Sequence, residues 1–186
     1  MLTPIQGDRK EEVDMGLDYT IYKINNRIET QEDLESINKF DKTFKEVFNS
    51  PHTSDALLKT YYVDDYVNSL SAGEVEDEAA KLRARYSALV EKYPNIQNDA
   101  YKEEVAYFRN WWVLFNYTDE LYSRHTQTKS FNLYGRQMLS KTDIEDFIST
   151  LSLEEAKENS ERVKVLEKLI QDTDFENETL YAIAWG

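Results

Sequence analysis

The chain has 186 residues, with 36 Asp and Glu against 22 Lys and Arg, a formal charge of -14 and no Cys. A negative balance spread along the whole sequence repels nucleic acid and anionic membrane and attracts basic partners. The missing Cys excludes disulfides, thiol catalysis and thiolate metal sites and fits a reducing cytosol. An apolar content of 40%, with 13 Tyr, 8 Phe and 3 Trp, excludes global disorder.

Residues 1–15 are polar, carry Pro4 and Gly7, and read as a flexible extension without the apolar h-region of a signal peptide. Residues 16–186 read as one domain. Leu17–Ile24 alternates, with Leu17, Tyr19, Ile21 and Lys23 on one face and Asp18, Thr20, Tyr22 and Ile24 on the other, which predicts a strand. A helix is expected from Gln31 to Phe48, N-capped by Thr30 and striped by Leu34, Ile37, Phe44 and Phe48. Pro51 ends it, and a second helix is expected from Ser54 to Leu70. Gly73 reads as the next break. Val75, Ala79, Leu82, Tyr86, Leu89 and Tyr93 then step by four and three, a helical seam that Pro94 closes.

The segment Asp99–Arg124 is the richest in aromatic residues. Tyr101, Val105, Phe108, Trp112 and Phe115 form one helical stripe and Tyr107, Trp111, Leu114 and Leu121 another, which predicts a central helix with Trp112 and Phe108 buried. Its five-residue apolar run, Trp111–Phe115, falls far short of the ~18 residues of a membrane span. A loop is expected from Thr126 to Ser130. Thr142 with Glu145 and Ser152 with Glu155 have the spacing of capping boxes, opening helices at Asp143–Leu151 and Leu153–Gln171, the latter with a Val163, Leu166, Ile170 stripe. Thr179–Trp185 reads as a final strand. The expected fold is α+β and predominantly helical: five to six helices around the central aromatic one, with a small sheet from the N- and C-terminal strands. Two strands alone are marginal, so they must pack on helices or find a further partner.

Catalytic signatures are missing. The two histidines, His52 and His125, stand far apart and outside any HExxH pattern, and no GxSxG, Walker or GxGxxG motif occurs. Asp172–Glu178 (DTDFENE) begins like a calcium loop, but Asn177 and Ile183 stand where Gly and Glu are needed. No cofactor, metal or basic nucleic-acid stripe is expected, and a metal-dependent enzyme ranks last among the readings.

Helix capping accounts for part of the acidity, since carboxylates favour the positive end of the helix dipole. Glu74, Glu76, Asp77 and Glu78 fit this at one helix start, and Glu154, Glu155 and Glu158 at another. The surplus remains. Glu11, Glu12, Asp14 and Asp18 crowd the N-terminus, Glu29, Glu32, Asp33 and Glu35 the first helix start, and Asp143, Glu145 and Asp146 a later one. Candidate partner-binding residues are therefore Glu32, Asp33 and Glu35; Glu74, Glu76, Asp77 and Glu78; Asp143, Glu145 and Asp146; and Tyr61, Tyr62 and Tyr66, whose amphipathic rings suit interfaces.

Met15-Gly16-Leu17-Asp18-Tyr19-Thr20-Ile21-Tyr22-Lys23 resembles the opening M-G-L-D-M-Y-L-Y-K of a group of small, uncharacterised phage and mobile-element proteins. Tyr107-Phe108-Arg109-Asn110-Trp111 is similar in placement to their later Y-W-R-K-A stretch, with Lys and Ala replaced. The resemblance covers roughly 15 residues. It implies a phage or mobile-element accessory protein. Small acidic proteins of that setting are similar, as a class, to anti-restriction and anti-CRISPR inhibitors. The implied partner is a basic host protein, such as a defence nuclease, bound in the host cytoplasm by acidic DNA mimicry, without direct binding of nucleic acid. The alternative is an adaptor or virion module, centred on the tyrosines, with no mimicry.

Overall fold

A computed structural model describes residues 16–126 and 135–185. The predicted extension and its acids Glu11, Glu12 and Asp14, and the predicted loop beyond Thr126, lie outside these residues.

Strand β1 (Asp18–Ile24) pairs antiparallel with β4 (Thr179–Trp185) over its full length, from Asp18 opposite Trp185 to Ile24 opposite Thr179. The two terminal strands thus meet as expected, and each also has an outer neighbour. β2 (Lys102–Arg109) flanks β1, and β3 (Arg136–Leu139) flanks β4, giving one antiparallel sheet in the order β2-β1-β4-β3. The central strands are covered on both faces, which is why β4 reads TLYAIAW with scarcely a polar interruption.

The faces follow the alternation of β1. Tyr19 and Ile21 enter one core, with Leu180, Ala182 and Ala184 of β4. Ile24, with Tyr22 packed beside it, enters the other, with Tyr181 and Ile183. On that second face lie α1 (Gln31–Lys39), α2 (Lys42–Phe48), α3 (Ser54–Lys59), α4 (Asp64–Ser69) and α5 (Ala72–Lys92). The first face is covered by α6 (Trp112–Thr126), α7 (Lys141–Thr150) and α9 (Ser160–Asp172), while α8 (Leu153–Glu158) contacts α9 and buries none of its residues. The fold is α+β and predominantly helical, with a sheet between two helical layers.

Several expectations are corrected. The helix expected over Gln31–Phe48 breaks at Phe40–Asp41, because the Asp41 carboxylate caps a new helix by accepting from Phe44 N at 2.9 Å. Ser54–Leu70 divides likewise into α3 and α4. Gly73 is no break: it lies inside α5, which opens at Ser71 with a capping box to Glu74. The capping box of α7 is Ser140 with Asp143, not Thr142 with Glu145, and Leu153–Gln171 divides at Asn159. Its buried positions are Leu166 and Leu169, while Val163 and Ile170 are half-buried.

The largest correction falls on Asp99–Arg124. This is not one central helix but a 3-10 turn, strand β2, a bend and α6. The four-and-three spacing arises across three separate elements. Tyr101 enters one core and Phe108 the other. A bulge opposite Ile21 and Tyr22 leaves Val105 unpaired and resets the parity of β2. Asn110 then turns the chain with φ 55, a left-handed conformation that Asn tolerates better than most residues. Its carboxamide Oδ1 accepts from Leu17 N at 2.8 Å, and its own N–H donates to Leu17 O at 2.7 Å. The turn sends Trp111, not Trp112, inward: Trp111 is 2% exposed and Trp112 51%. Phe108 is buried as expected.

Candidate partner-binding surfaces

The three acidic groups do not share a face. Glu32 is exposed at the start of α1, but its neighbours have internal work. Asp33 accepts from Lys92 Nζ at 2.8 Å and from Tyr93 Oη at 2.5 Å. Burial pushes the Asp33 carboxyl up, yet these bonds outweigh it and hold the group below the usual carboxylate range. Glu35 accepts from Tyr122 Oη at 3.2 Å.

The second group lies at the other end of α5. Sixteen residues separate Glu76 from Lys92, about 24 Å along the helix axis. Glu74 closes the Ser71 capping box, and bonds from Ser71 hold its carboxyl below the usual range. Glu76 accepts from Ser54 Oγ at 2.7 Å, and Glu78 pairs with Lys81 at 2.7 Å. Asp77 is exposed. This group borders the tyrosines. The Tyr61 and Tyr62 rings meet edge-on at 4.9 Å, and Tyr62 and Tyr66 lie 5.0 Å apart. Arg85 Nη1 donates to Tyr61 Oη at 3.4 Å. Burial raises the Tyr62 hydroxyl, with Arg85 and the Glu78 carboxylate acting on it in opposite directions. Tyr61 and Tyr62 are half-buried, and Tyr61 packs on Phe40 and Phe44. Tyr66 and Val63 stand out into solvent.

The third group belongs to a longer acidic stripe on the opposite side of the sheet. Residues 143–178 hold twelve Asp and Glu against four Lys and Arg, more than half of the chain's surplus. Along α9 acids and bases balance. The excess sits on α7, on α8 and on the turn Asp174–Glu178. Asp143 and Glu178 line one cleft of about 1000 Å³ at the end of the sheet, together with Glu29, Arg27 and Lys141, so the turn adjoins the start of α7. α8 follows the end of α7 directly. The acids thus run in series over the turn, α7 and α8, with α7 alone about 15 Å long.

Some of these carboxylates are engaged. Asp143 and Glu155 close capping boxes, Glu145 lies 3.8 Å from Lys141, and Glu178 lies 3.5 Å from Lys23. Asp174 forms a local turn, accepting from Glu176 N and from Asn177 Nδ2. Among the described residues, Asp146, Glu154, Glu158 and Glu176 are exposed and make neither an ion pair nor a side-chain hydrogen bond. Glu154, Glu158, Asp174 and Glu176 were not among the candidate residues. The signal that finds them is the running charge over 143–178, not any single cluster.

The two stretches that carry the phage-protein resemblance are adjacent. Asp18 pairs with Arg109 and Tyr19 with Phe108 across β1 and β2, and Tyr107 Oη donates to the Asp18 carboxylate. Gly16 leaves room for the Arg109 guanidinium, which a Cβ there would meet at 3.0 Å.

Among the described residues no group of three or more His, Asp or Glu side chains is placed to hold a metal ion, and no helix is long and apolar enough to cross a membrane. No family model, curated protein or solved structure matches the chain.

Proposed function

We propose that this protein is a non-catalytic inhibitor, encoded by a phage or mobile element, that binds a basic nucleic-acid-handling protein of the host. A defence nuclease such as a CRISPR effector is the partner class that fits. The observation that carries this reading is the acidic stripe, where Asp146, Glu154, Glu158 and Glu176 stand exposed without internal partners. Carboxylates consumed by capping and pairing are explained by folding; Asp146, Glu158 and Glu176 are not, and Glu154 is only favoured by the dipole at the first turn of α8. A channel built for nucleic acid is lined with Lys and Arg, because duplex DNA presents one charge per ~1.7 Å of axis. An acidic stripe along a rigid helix offers such a channel a substitute, and opposite fields speed encounter. The MGLD-type opening supports the phage setting.

The tyrosine face carries a second reading. Val63 and Tyr66 are exposed next to the half-buried Tyr62, an apolar patch suited to an adaptor interface. It lies on the other helical layer, so the two surfaces are separable by mutation.

The test measures DNA cleavage by a panel of CRISPR effector and restriction nucleases with the protein added. Stoichiometric inhibition of at least one is expected, weakening as salt rises from about 50 to about 200 mM. Reversal of Asp146, Glu154, Glu158 and Glu176 to Lys should abolish it. Inhibition by that variant equal to the parent's would sink the stripe mechanism; loss on Tyr62→Ala with Tyr66→Ala, insensitive to salt, would establish the adaptor face instead.

A further inference from the structure

The cleft of about 1000 Å³ at the end of the sheet has walls from three parts of the chain. One wall is the connection from β1 to α1. Thr179 Oγ1 pins it, accepting from Ile28 N at 2.7 Å and donating to Asn26 O at 2.8 Å. The second is the start of α7, fixed by the Ser140–Asp143 capping box. The third is the turn Asp174–Glu178, where Asp174 N donates to the Glu178 carboxylate at 2.9 Å. Leu139, Leu180 and the half-buried Phe175 ring give the cleft an apolar lining. Walls held in this way leave little ordering to be done on binding.

The charges lining this cleft do not balance. Glu29 shares Lys92 with Asp33, and Glu178 shares Lys23 with Glu103, so each lysine faces two carboxylates. Asp143 Oδ2 accepts from Ser140 N and Oγ at 2.8 and 2.6 Å, while its Oδ1 takes neither a hydrogen bond nor an ion pair among the described residues. Two cations line the same cleft. Lys141 lies 3.8 Å from Glu145, and Arg27 is exposed. Arg27 thus stands alone against three carboxylates that no lysine fully neutralises. A recess with low-dielectric walls and an excess of one sign concentrates the opposite charge.

We propose that this cleft receives an arginine-bearing peptide segment of the basic partner. The inference rests on the reading of the acidic stripe as the partner-facing surface, because Asp143 and Glu178 belong to both. A cleft of this volume matches the upper end of ligand sites, ~300–1000 Å³, so it takes a stretch of chain and not a bare ion. The aliphatic stem of an arginine covers apolar surface while its head reaches a carboxylate. Its planar guanidinium also lies flat on an aromatic ring and donates in a fork, which suits Phe175 and the open Oδ1 of Asp143. Lysine offers a point charge and no flat face. The acids of the stripe speed encounter, and the cleft selects the residue that docks.

The experiment is an NMR titration of the isotope-labelled full chain with the capped tripeptide acetyl-Ala-Arg-Ala-amide. Peptides with Lys, norleucine or Glu at the centre are titrated alongside at equal ionic strength. Saturable amide shifts centred on Thr142, Asp143, Phe175 and Glu178 are expected with the arginine peptide, and weaker binding with the lysine one. Asp143→Asn keeps an oxygen for the Ser140 cap and should weaken binding about tenfold, the loss of one charge-assisted contact. Phe175→Ser should remove the preference for arginine over lysine. Arg27→Gln should strengthen binding, since it removes the opposing charge. Glu46→Gln, on α2, should leave it unchanged. No saturable shift in the cleft, or an equal response to the arginine and norleucine peptides, overturns the proposal. Binding of the glutamate peptide that Arg27→Gln abolishes would assign the cleft to anions and overturn it too. The nuclease panel is scored separately. Inhibition without peptide binding removes the arginine socket and leaves the stripe standing; peptide binding without inhibition supports the socket and counts against the nuclease reading.

Discussion

Trp111 and Trp112 are neighbours in sequence with opposite fates. Trp111 is packed edge-on against Phe108 at 4.9 Å and Phe147 at 5.3 Å, with the Arg162 guanidinium 5.5 Å from its ring. Trp112 is half in solvent and touches Phe115 at 5.9 Å. Emptying the Trp111 site leaves a large cavity between the sheet and α7, so Trp111→Ala should cost ~3–5 kcal/mol. Trp112→Ala should cost less than about 1 kcal/mol. Urea unfolding of both variants measures the difference; equal losses would contradict the burial described. Helical spacing alone places Trp112 with Phe108, so the sequence pointed to the wrong indole. The left-handed turn at Asn110 decides which one faces in.

Among the elements, the edges of the sheet differ. β2 carries Lys102, Glu103 and Glu104 along an exposed edge and a bulge at Val105, both of which discourage pairing with another chain. β3 is short and is sealed by one side chain. The Gln31 carboxamide accepts from Met138 N at 3.0 Å and donates to Arg136 O, imitating a fifth strand. Its position at the start of α1 follows from the Thr30 cap, which was legible. Its pairing with β3 was not, because 107 residues separate Gln31 from Met138. Gln31→Ala should strand two backbone groups and destabilise by about 1–3 kcal/mol. It should also favour self-association through β3, visible as a larger species in size-exclusion chromatography. An unchanged midpoint and elution volume would mean that water replaces the amide at no cost.

For the whole molecule, a charge of -14 acts on the folded state as self-repulsion. Local pairs such as Lys92 with Asp33 and Glu29 are favourable and screened by salt, but most other ion pairs join exposed side chains and contribute little. The long-range term should therefore dominate, and the urea midpoint should rise as sodium chloride increases from about 20 to about 150 mM, where the Debye length shortens toward 8 Å. A falling midpoint would show that specific pairs outweigh repulsion. The same surplus is unevenly held. The helices α7 and α8 with the turn Asp174–Glu178 carry half of it.

By itself the sequence determined whatever depends on near neighbours. The period-two pattern of β1 and β4, the seam of α5 from Val75 to Tyr93, and the caps at Thr30 and Ser152 are all local physics, readable within a few residues. So was the acidity. Tertiary structure alone decided what depends on partners far along the chain. β2 is a strand because β1 lies beside it, and its aromatic spacing would serve a helix equally well. Asp33 and Glu35 look like free surface charge until Lys92, Tyr93 and Tyr122 are seen to hold them. Burial and pairing are properties of the assembled layers: a side chain meets residues 60 to 150 positions away, and no window of sequence contains both ends of that contact.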